Sequence, residues 1–167
     1  AHGGAIIDVG AYSTRPGAED VTEEEEMRRL RMALEVIRRE CPDAAISVDT
    51  FRSDVAKMCV EEYGVAIIND VTEVSDEAMI NTVARLGVAY VLTSVKATMR
   101  EMLIGLAEKV QLLRDHGAKD IIIDPGFGFG KTLEQNHLLL KELDKLHALE
   151  LPVLVGVSRK SMIYKFL

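Results

Sequence analysis

Asp124 opens the stretch Asp-Pro-Gly-Phe-Gly-Phe-Gly-Lys-Thr (124–132), directly after the apolar run at 121–123. Glycines this dense beside a lysine raise the question of a phosphate loop. A Walker-type loop needs Gly, four residues, then Gly-Lys-Ser/Thr. Gly130, Lys131 and Thr132 fit the end of that pattern, but its first glycine falls on Pro125. The dinucleotide fingerprint Gly-x-Gly-x-x-Gly fits at Gly126 and Gly128 and fails at Lys131. What remains is an acid closing a strand, then a flexible aromatic loop. Phe127 and Phe129 flank glycines there, so a ring can swing over a ligand.

The same arrangement recurs along the chain. Asp8 is followed by Ala-Tyr-Ser-Thr-Arg-Pro-Gly-Ala, Asp49 lies in Ser-Val-Asp-Thr-Phe-Arg, and Asn69 and Asp70 lie in Ile-Asn-Asp-Val. A sixth apolar run leads to Arg159, Lys160 and Ser161. Singly, Asp8, Asp49 or Asp124 fits a helix N-cap, Asn69 fits a turn, and Lys160 fits a solvated helix face. Repeated at several strand ends, the pattern points to one shared rim. A buried carboxylate suits a bidentate hydrogen bond to an amidine-like edge, and an amide suits a mixed donor–acceptor edge. Arg15, Lys160 and Ser161 suit phosphate oxygens, with backbone donors from the helix start after Ser158. The chemistry implied is a polar heterocycle plus a phosphate.

The elements that must position these residues are legible. Short apolar runs rich in β-branched residues lie at 5–9, 45–49, 66–69, 89–93, 120–124 and 152–156. Their alternation is weak, as in strands of a parallel sheet covered on both faces. Helical patterns fall between them, at 21–40, 53–64, 75–87, 98–117 and 133–149, with another beginning near Arg159. In the first, Thr22 and Glu25 form a capping box, and Met27, Leu30, Leu34 and Ile37 make an apolar stripe. The Glu23–Glu26 run reads as a solvated helix face. Gly64 and Gly87 fit the position just past a helix end. The order is β-α repeated six times, an α/β fold with a parallel sheet. Two architectures remain open at this point, a doubly wound sheet and a (β/α)8 barrel. A complete barrel takes roughly 200 residues or more, so this chain is short of one by about two units.

The totals narrow the partners. The chain has 167 residues, 48% hydrophobic and 28% charged, enough for one domain with a core. Its net charge of −7, without a long basic run, argues against nucleic acid or anionic membranes. No apolar stretch is long enough to span a bilayer. Cys41 and Cys59 read as free, buried or half-buried thiols, which fits a reducing cytoplasm. The four histidines are scattered without metal-ligand spacing. The chain opens on Ala-His-Gly-Gly, read as the tail of a helix, and closes on the first turns of another, so both ends are expected to continue.

Five motifs together resemble the dihydropteroate synthase family: Ser-Thr-Arg-Pro-Gly-Ala, Ile-Ser-Val-Asp-Thr-Phe-Arg, Ile-Ile-Asn-Asp-Val, the Asp124–Asn136 stretch, and Pro-Val-Leu-Val-Gly-Val-Ser-Arg-Lys-Ser-Met-Ile. They stand in the family's order and cover nearly the whole chain. The resemblance implies a (β/α)8 TIM barrel, of which about six β-α units are present, with residues 1–167 a pterin-binding domain partial at both ends. It implies a transferase of folate biosynthesis. That enzyme joins 6-hydroxymethyl-dihydropterin pyrophosphate to p-aminobenzoate, and sulfonamides compete for the second substrate. By the resemblance, Asp49, Asn69, Asp124 and Lys160 bind the pterin, with Asp124 facing its 2-amino edge. Phe129, Pro16 and Ser161 border the p-aminobenzoate site. Thr14 and Arg15 belong to a mobile loop over the reacting centre. Arg15 and Ser161 help hold pyrophosphate, and Arg15, Lys160 and Ser161 carry the catalytic roles. A Mg²⁺ on the pyrophosphate and a cytoplasmic homodimer are implied as well.

The departures from the family pattern are specific. The first strand, with the Asn that helps bind metal, is absent, and so is the last, with its Arg and His. At the fourth apolar run the family has Met-His-Met, a basic residue and Gly; here Ser94 stands for the His and Ala97 for the Gly. Glu73 stands where Gly is common. Two other readings therefore stay open: an inactive paralogue or fragment keeping part of a pterin site, and the pterin domain of a methyltetrahydrofolate-dependent methyltransferase. The 167-residue chain alone is expected to be poorly stable and inactive.

Overall fold

The computed structural model describes residues 3–13, 17, 20–74, 76–158 and 160–164, with Ser161 and Tyr164 described by backbone alone. Five strands alternate with helices: β1 (Ile6–Gly10), α1 (Glu23–Glu40), β2 (Ala45–Asp49), α2 (Ser53–Tyr63), β3 (Ile67–Asp70), α3 (Glu77–Leu86), β4 (Ala89–Thr93), α4 (Met99–Asp115), β5 (Ile121–Asp124) and α5 (Leu133–Lys141). A 3-10 helix (Leu143–Leu149) and a short α6 (Ser161–Tyr164) follow. All strand pairs are parallel and the order is β1-β2-β3-β4-β5. This is the (β/α) barrel architecture, here as an open arc of parallel strands.

Side chains that are register partners in a parallel pair point to the same side. One face of the arc therefore carries Ile46 and Val48, Ile68, Tyr90 and Leu92, and Ile121 and Ile123. All lie in the core, no more than 2% exposed, packed with Leu30 and Leu34 of α1, Val55 and Cys59 of α2, Met79 and Val83 of α3, and Leu106 of α4. Burying one such aliphatic side chain contributes roughly 1.5–3 kcal/mol, which is why the helices sit on this face.

Helix boundaries follow local chemistry. Thr22, Asp76, Thr98 and Thr132 each accept a hydrogen bond from a backbone amide in the first turn of α1, α3, α4 and α5. Gly64 and Gly87 close α2 and α3 in the left-handed region. Arg38 ties α1 to α2 through the carbonyls of Tyr63 and Gly64.

The structure corrects several sequence expectations. The run at 152–156 forms no strand; it makes a single parallel bridge, Val153 to Ile123. Pro152 has no N–H to donate, and Leu154 and Val155 are exposed. The helix over 133–149 stops at Lys141, and the rest winds as the tighter 3-10 form. In α1 only half of the capping box forms, because the Glu25 carboxylate turns to Arg28 and Arg29. Glu26 does not lie on a solvated face: it is fully buried, accepting from Thr50 Oγ1 at 2.7 Å and paired with Arg52. Cys41 is exposed, and Phe127 is a core residue, 1% exposed.

Candidate ligand-binding site on the open face of the sheet

Alternation places the strand-end residues opposite the helices. Gly10, Asp49 and Asn69 are register partners across β1, β2 and β3. Thr93 and Asp124 are partners across β4 and β5. Val91, beside Asn69, and Thr93 lie on the same face of β4, so Asp8, Asp49, Asn69, Thr93 and Asp124 all share the face without helices. The expected rim is thus a row at the carboxyl ends of the strands, where parallel α/β sheets place ligands. Asp70, next to Asn69, points the other way. It is buried among helix-facing groups and accepts from Tyr90 Oη at 2.6 Å and Thr72 N at 2.7 Å.

The row is short of hydrogen-bond partners. Asn69 Oδ1 and Thr93 Oγ1 are buried without one among the described residues. Burial, with the charges of Asp8, Asp70 and Glu26, pushes the Asp49 carboxyl up to about 7. A Cβ on Gly10 would stand 3.3 Å from Asp49 Cβ and 3.6 Å from Oδ2, so glycine there keeps space beside the carboxylate. Burial also raises the pKa of Asp124, opposed by the Gly126 amide, Lys160 and Lys131.

The loop after β5 is built to hold Asp124. Gly126 N donates to Asp124 Oδ1 at 2.7 Å. Gly126 has φ +64°, and a Cβ there would lie 2.2 Å from the Ser94 carbonyl oxygen, so only glycine fits. Lys131 Nζ donates to the carbonyls of Ser94 at 2.9 Å and Gly126 at 2.8 Å, with Phe129 at 3.5 Å. It clamps the ends of β4 and β5 together, and burial pulls its pKa down to about 8. Asn136 reaches back from α5, accepting from Gly128 N at 2.7 Å and donating to the carbonyls of Lys131 and Thr132. Lys131 therefore serves the loop, not a phosphate. Lys160 Nζ sits 4.7 Å from the centroid of the half-buried Phe129 ring, and its stem lies against Gly128. Lys160, Phe129 and Asp124 are thereby grouped at one end of the row.

The turn after β3 brings two sequence departures together. Glu73 and Val74 both have positive φ, a strained conformation for a side-chain-bearing residue. The Glu73 carboxylate accepts from Ser94 Oγ at 3.2 Å and lies 3.6 Å from Lys96 Nζ. Ser94 is thus engaged with the β3 turn and faces away from the row.

Thr14, Arg15, Pro16 and Arg159 lie outside the described residues, as does the Ser161 side chain. Arg52 donates to the Val21 carbonyl and to Glu26, and its guanidinium lies 5.2 Å from the ring centroids of both Tyr12 and Phe51. One arginine therefore links Tyr12 to Val21, on either side of residues 14–16 in the sequence. Sequence reasoning missed Thr93, Glu26, Arg52 and Asn136. A buried acid within an acidic run carries no signal, whereas Asn136 stands one helical turn after the Thr132 cap and was findable. Among the described residues, no group of three or more His, Cys, Asp or Glu could hold a metal ion. No helix there is long and apolar enough to cross a membrane.

The family described as pterin binding enzyme matches residues 1–167. The dihydropteroate synthase of Clostridium beijerinckii is 40% identical over 171 residues, covering 97% of this chain and 63% of that protein. The solved structure of dihydropteroate synthase from Thermus thermophilus in complex with 6HMPPP superposes with a TM-score of 0.85 at 38% identity, covering 97% of this chain and 64% of that one. The same enzyme in complex with 4-aminobenzoate gives 0.86 at 39% identity, with 97% and 66% covered. The chain thus spans under two thirds of the length of these relatives.

Proposed function

The chain belongs to the pterin-binding enzymes, and we propose that it supplies the pterin half of a dihydropteroate synthase. The single observation carrying this reading is the polar row Asp49–Asn69–Asp124 on a face whose other side is a sealed apolar core. In this reading the complete protein joins 6-hydroxymethyl-dihydropterin pyrophosphate to p-aminobenzoate. Asp124, held by its loop, accepts from the 2-amino edge of the heterocycle; Asp49 and Asn69 take its other polar edges. Lys160 stands over Phe129 at the start of α6, and its ammonium attracts the pyrophosphate. Arg15 and Ser161 act on the same charge, and Thr14, Pro16 and Phe129 border the arylamine.

The bond from the pterin methylene carbon to the pyrophosphate oxygen breaks, and its electron pair leaves with pyrophosphate. The arylamine nitrogen then forms the new bond to that carbon and gives up a proton. Fixed positive charge stabilises the departing oxygen, the larger catalytic contribution in such a step. A magnesium ion on the pyrophosphate is part of the proposal for the whole protein, but the described residues offer it no centre. A cytoplasmic homodimer and competition by sulfonamides complete it.

The test is pyrophosphate release by the complete protein. Release that needs both substrates supports the synthase. Pterin binding without release, or methyl transfer from methyltetrahydrofolate, assigns the site to a non-synthase relative instead.

A further inference from the structure

We propose that Thr93 is a further ligand-binding residue of this site, its hydroxyl supplying a hydrogen bond to the ring edge of the bound heterocycle between the groups held by Asn69 and Asp124. The inference rests on the pterin-binding reading above.

Strands β2, β3 and β5 each place one polar side chain near their carboxyl end on the open face: Asp49, Asn69 and Asp124. Strand β4 lies between β3 and β5. Its member of the row is Thr93, register partner of Asp124 and two residues beyond Val91, which partners Asn69. Ser94 cannot fill that place, because its Oγ accepts from Lys96 N and donates to Glu73.

Thr93 is fully buried, 0% exposed, yet its hydroxyl has no partner among the described residues. Most other buried polar side chains are bonded, among them Thr50 to Glu26, Asp70 to Tyr90 and Thr72, and Asn136 to the β5 loop. Leaving a buried hydroxyl unbonded is costly, and such exceptions mark functional positions. The second exception, Asn69 Oδ1, lies on the same face one strand away. The Thr93 methyl faces the loop: a Cβ on Gly126 would lie 3.0 Å from its Cγ2. The methyl, rather than the hydroxyl, is thus the group that packs against the β5 loop. A hydroxyl is one donor and two acceptors. It suits a fused heterocycle whose ring nitrogens, carbonyl and amino groups lie next to each other.

The experiment uses the complete protein that carries this sequence, titrated with 6-hydroxymethyl-dihydropterin pyrophosphate. Thr93→Val keeps the shape and removes the hydroxyl. It is expected to bind about tenfold more weakly, while the thermal midpoint without ligand stays the same or rises, since no internal bond is lost. Thr93→Ser keeps the hydroxyl and loses the methyl against Gly126, so it is expected to bind within about twofold of wild type with a lower midpoint. A lowered midpoint with unchanged affinity for Thr93→Val means that the hydroxyl is bonded internally and overturns the inference. Wild type binding the pterin no better than Thr93→Val overturns it as well. Wild type failing to bind the pterin at all overturns the pterin reading together with this one.

Discussion

Asp70 and Asn69 are neighbours in sequence and opposites in environment. Asp70 faces the helices, where its carboxylate is met by the Tyr90 hydroxyl and by the amide and hydroxyl of Thr72. Asn69 faces the open side, where its carbonyl oxygen has no partner among the described residues. The contrast extends along the sheet. Helix-facing polar groups are bonded inside the fold, as in Tyr90 with Asp70, while on the open side the Thr93 hydroxyl is buried without a partner among the described residues and the half-buried Asp49 carboxyl is raised by desolvation. Polar groups serving stability are satisfied by the chain itself. Those on the open side are left available to a ligand.

The strongest way to break this comparison is Asp70→Ala. It leaves the Tyr90 hydroxyl buried without its acceptor and is expected to cost about 3 kcal/mol. Urea unfolding measures the loss, and the folded fraction should keep its pterin affinity. Loss of affinity without loss of stability would place Asp70 in the site.

Asp49→Asn should do the reverse. The Asp49 carboxyl is raised to about 7 in the folded protein and lies near 3.9 when unfolded. A raised acid contributes stability that is present below the unfolded value and lost as pH climbs through the folded one. Wild-type stability is therefore expected to fall between about pH 4 and pH 7 through this group. Asp49→Asn flattens that slope and is more stable than wild type at pH 8, by about 1–2 kcal/mol, while binding pterin more weakly. Denaturation midpoints across pH check the first part and titration the second. A variant less stable at every pH would move Asp49 to the structural side.

The smallest effect is expected from Asp8→Asn. Asp8 is exposed, and its charge is one cause of the raised Asp49 pKa. Removing it should leave stability within about 0.5 kcal/mol and shift the Asp49 titration to lower pH. A carbon-detected NMR titration of the Asp49 carboxyl reads this directly.

Sequence spacing alone was enough to recover the β-α order, the caps at Thr22, Gly64 and Gly87, and the acids at strand ends, because these depend on near neighbours. Asp124 could be read as a strand-end acid without knowing what lay beside it. Glu26 could not be read, since four consecutive glutamates look alike until Arg52 and Thr50 arrive from β2 and its loop. Phe127 and Phe129 also look alike, and only the packing under the β5 loop buries the first and leaves the second beneath Lys160.

The sequence by itself determined the strand and helix alternation, the family likeness and the set of residues from which a site can be built. Tertiary structure decided which members of that set share the face without helices. In a strand, successive residues point to opposite faces, so the choice between Asn69 and Asp70, or Thr93 and Ser94, hangs on register with neighbouring strands. Register is a property of the assembled sheet, set by the helices that seal one face and by contacts such as Gly126 against the Ser94 carbonyl. The run at 152–156 teaches the same lesson from the edge: its composition reads as a strand, but a strand needs a ladder, and beside β5 it forms a single bridge.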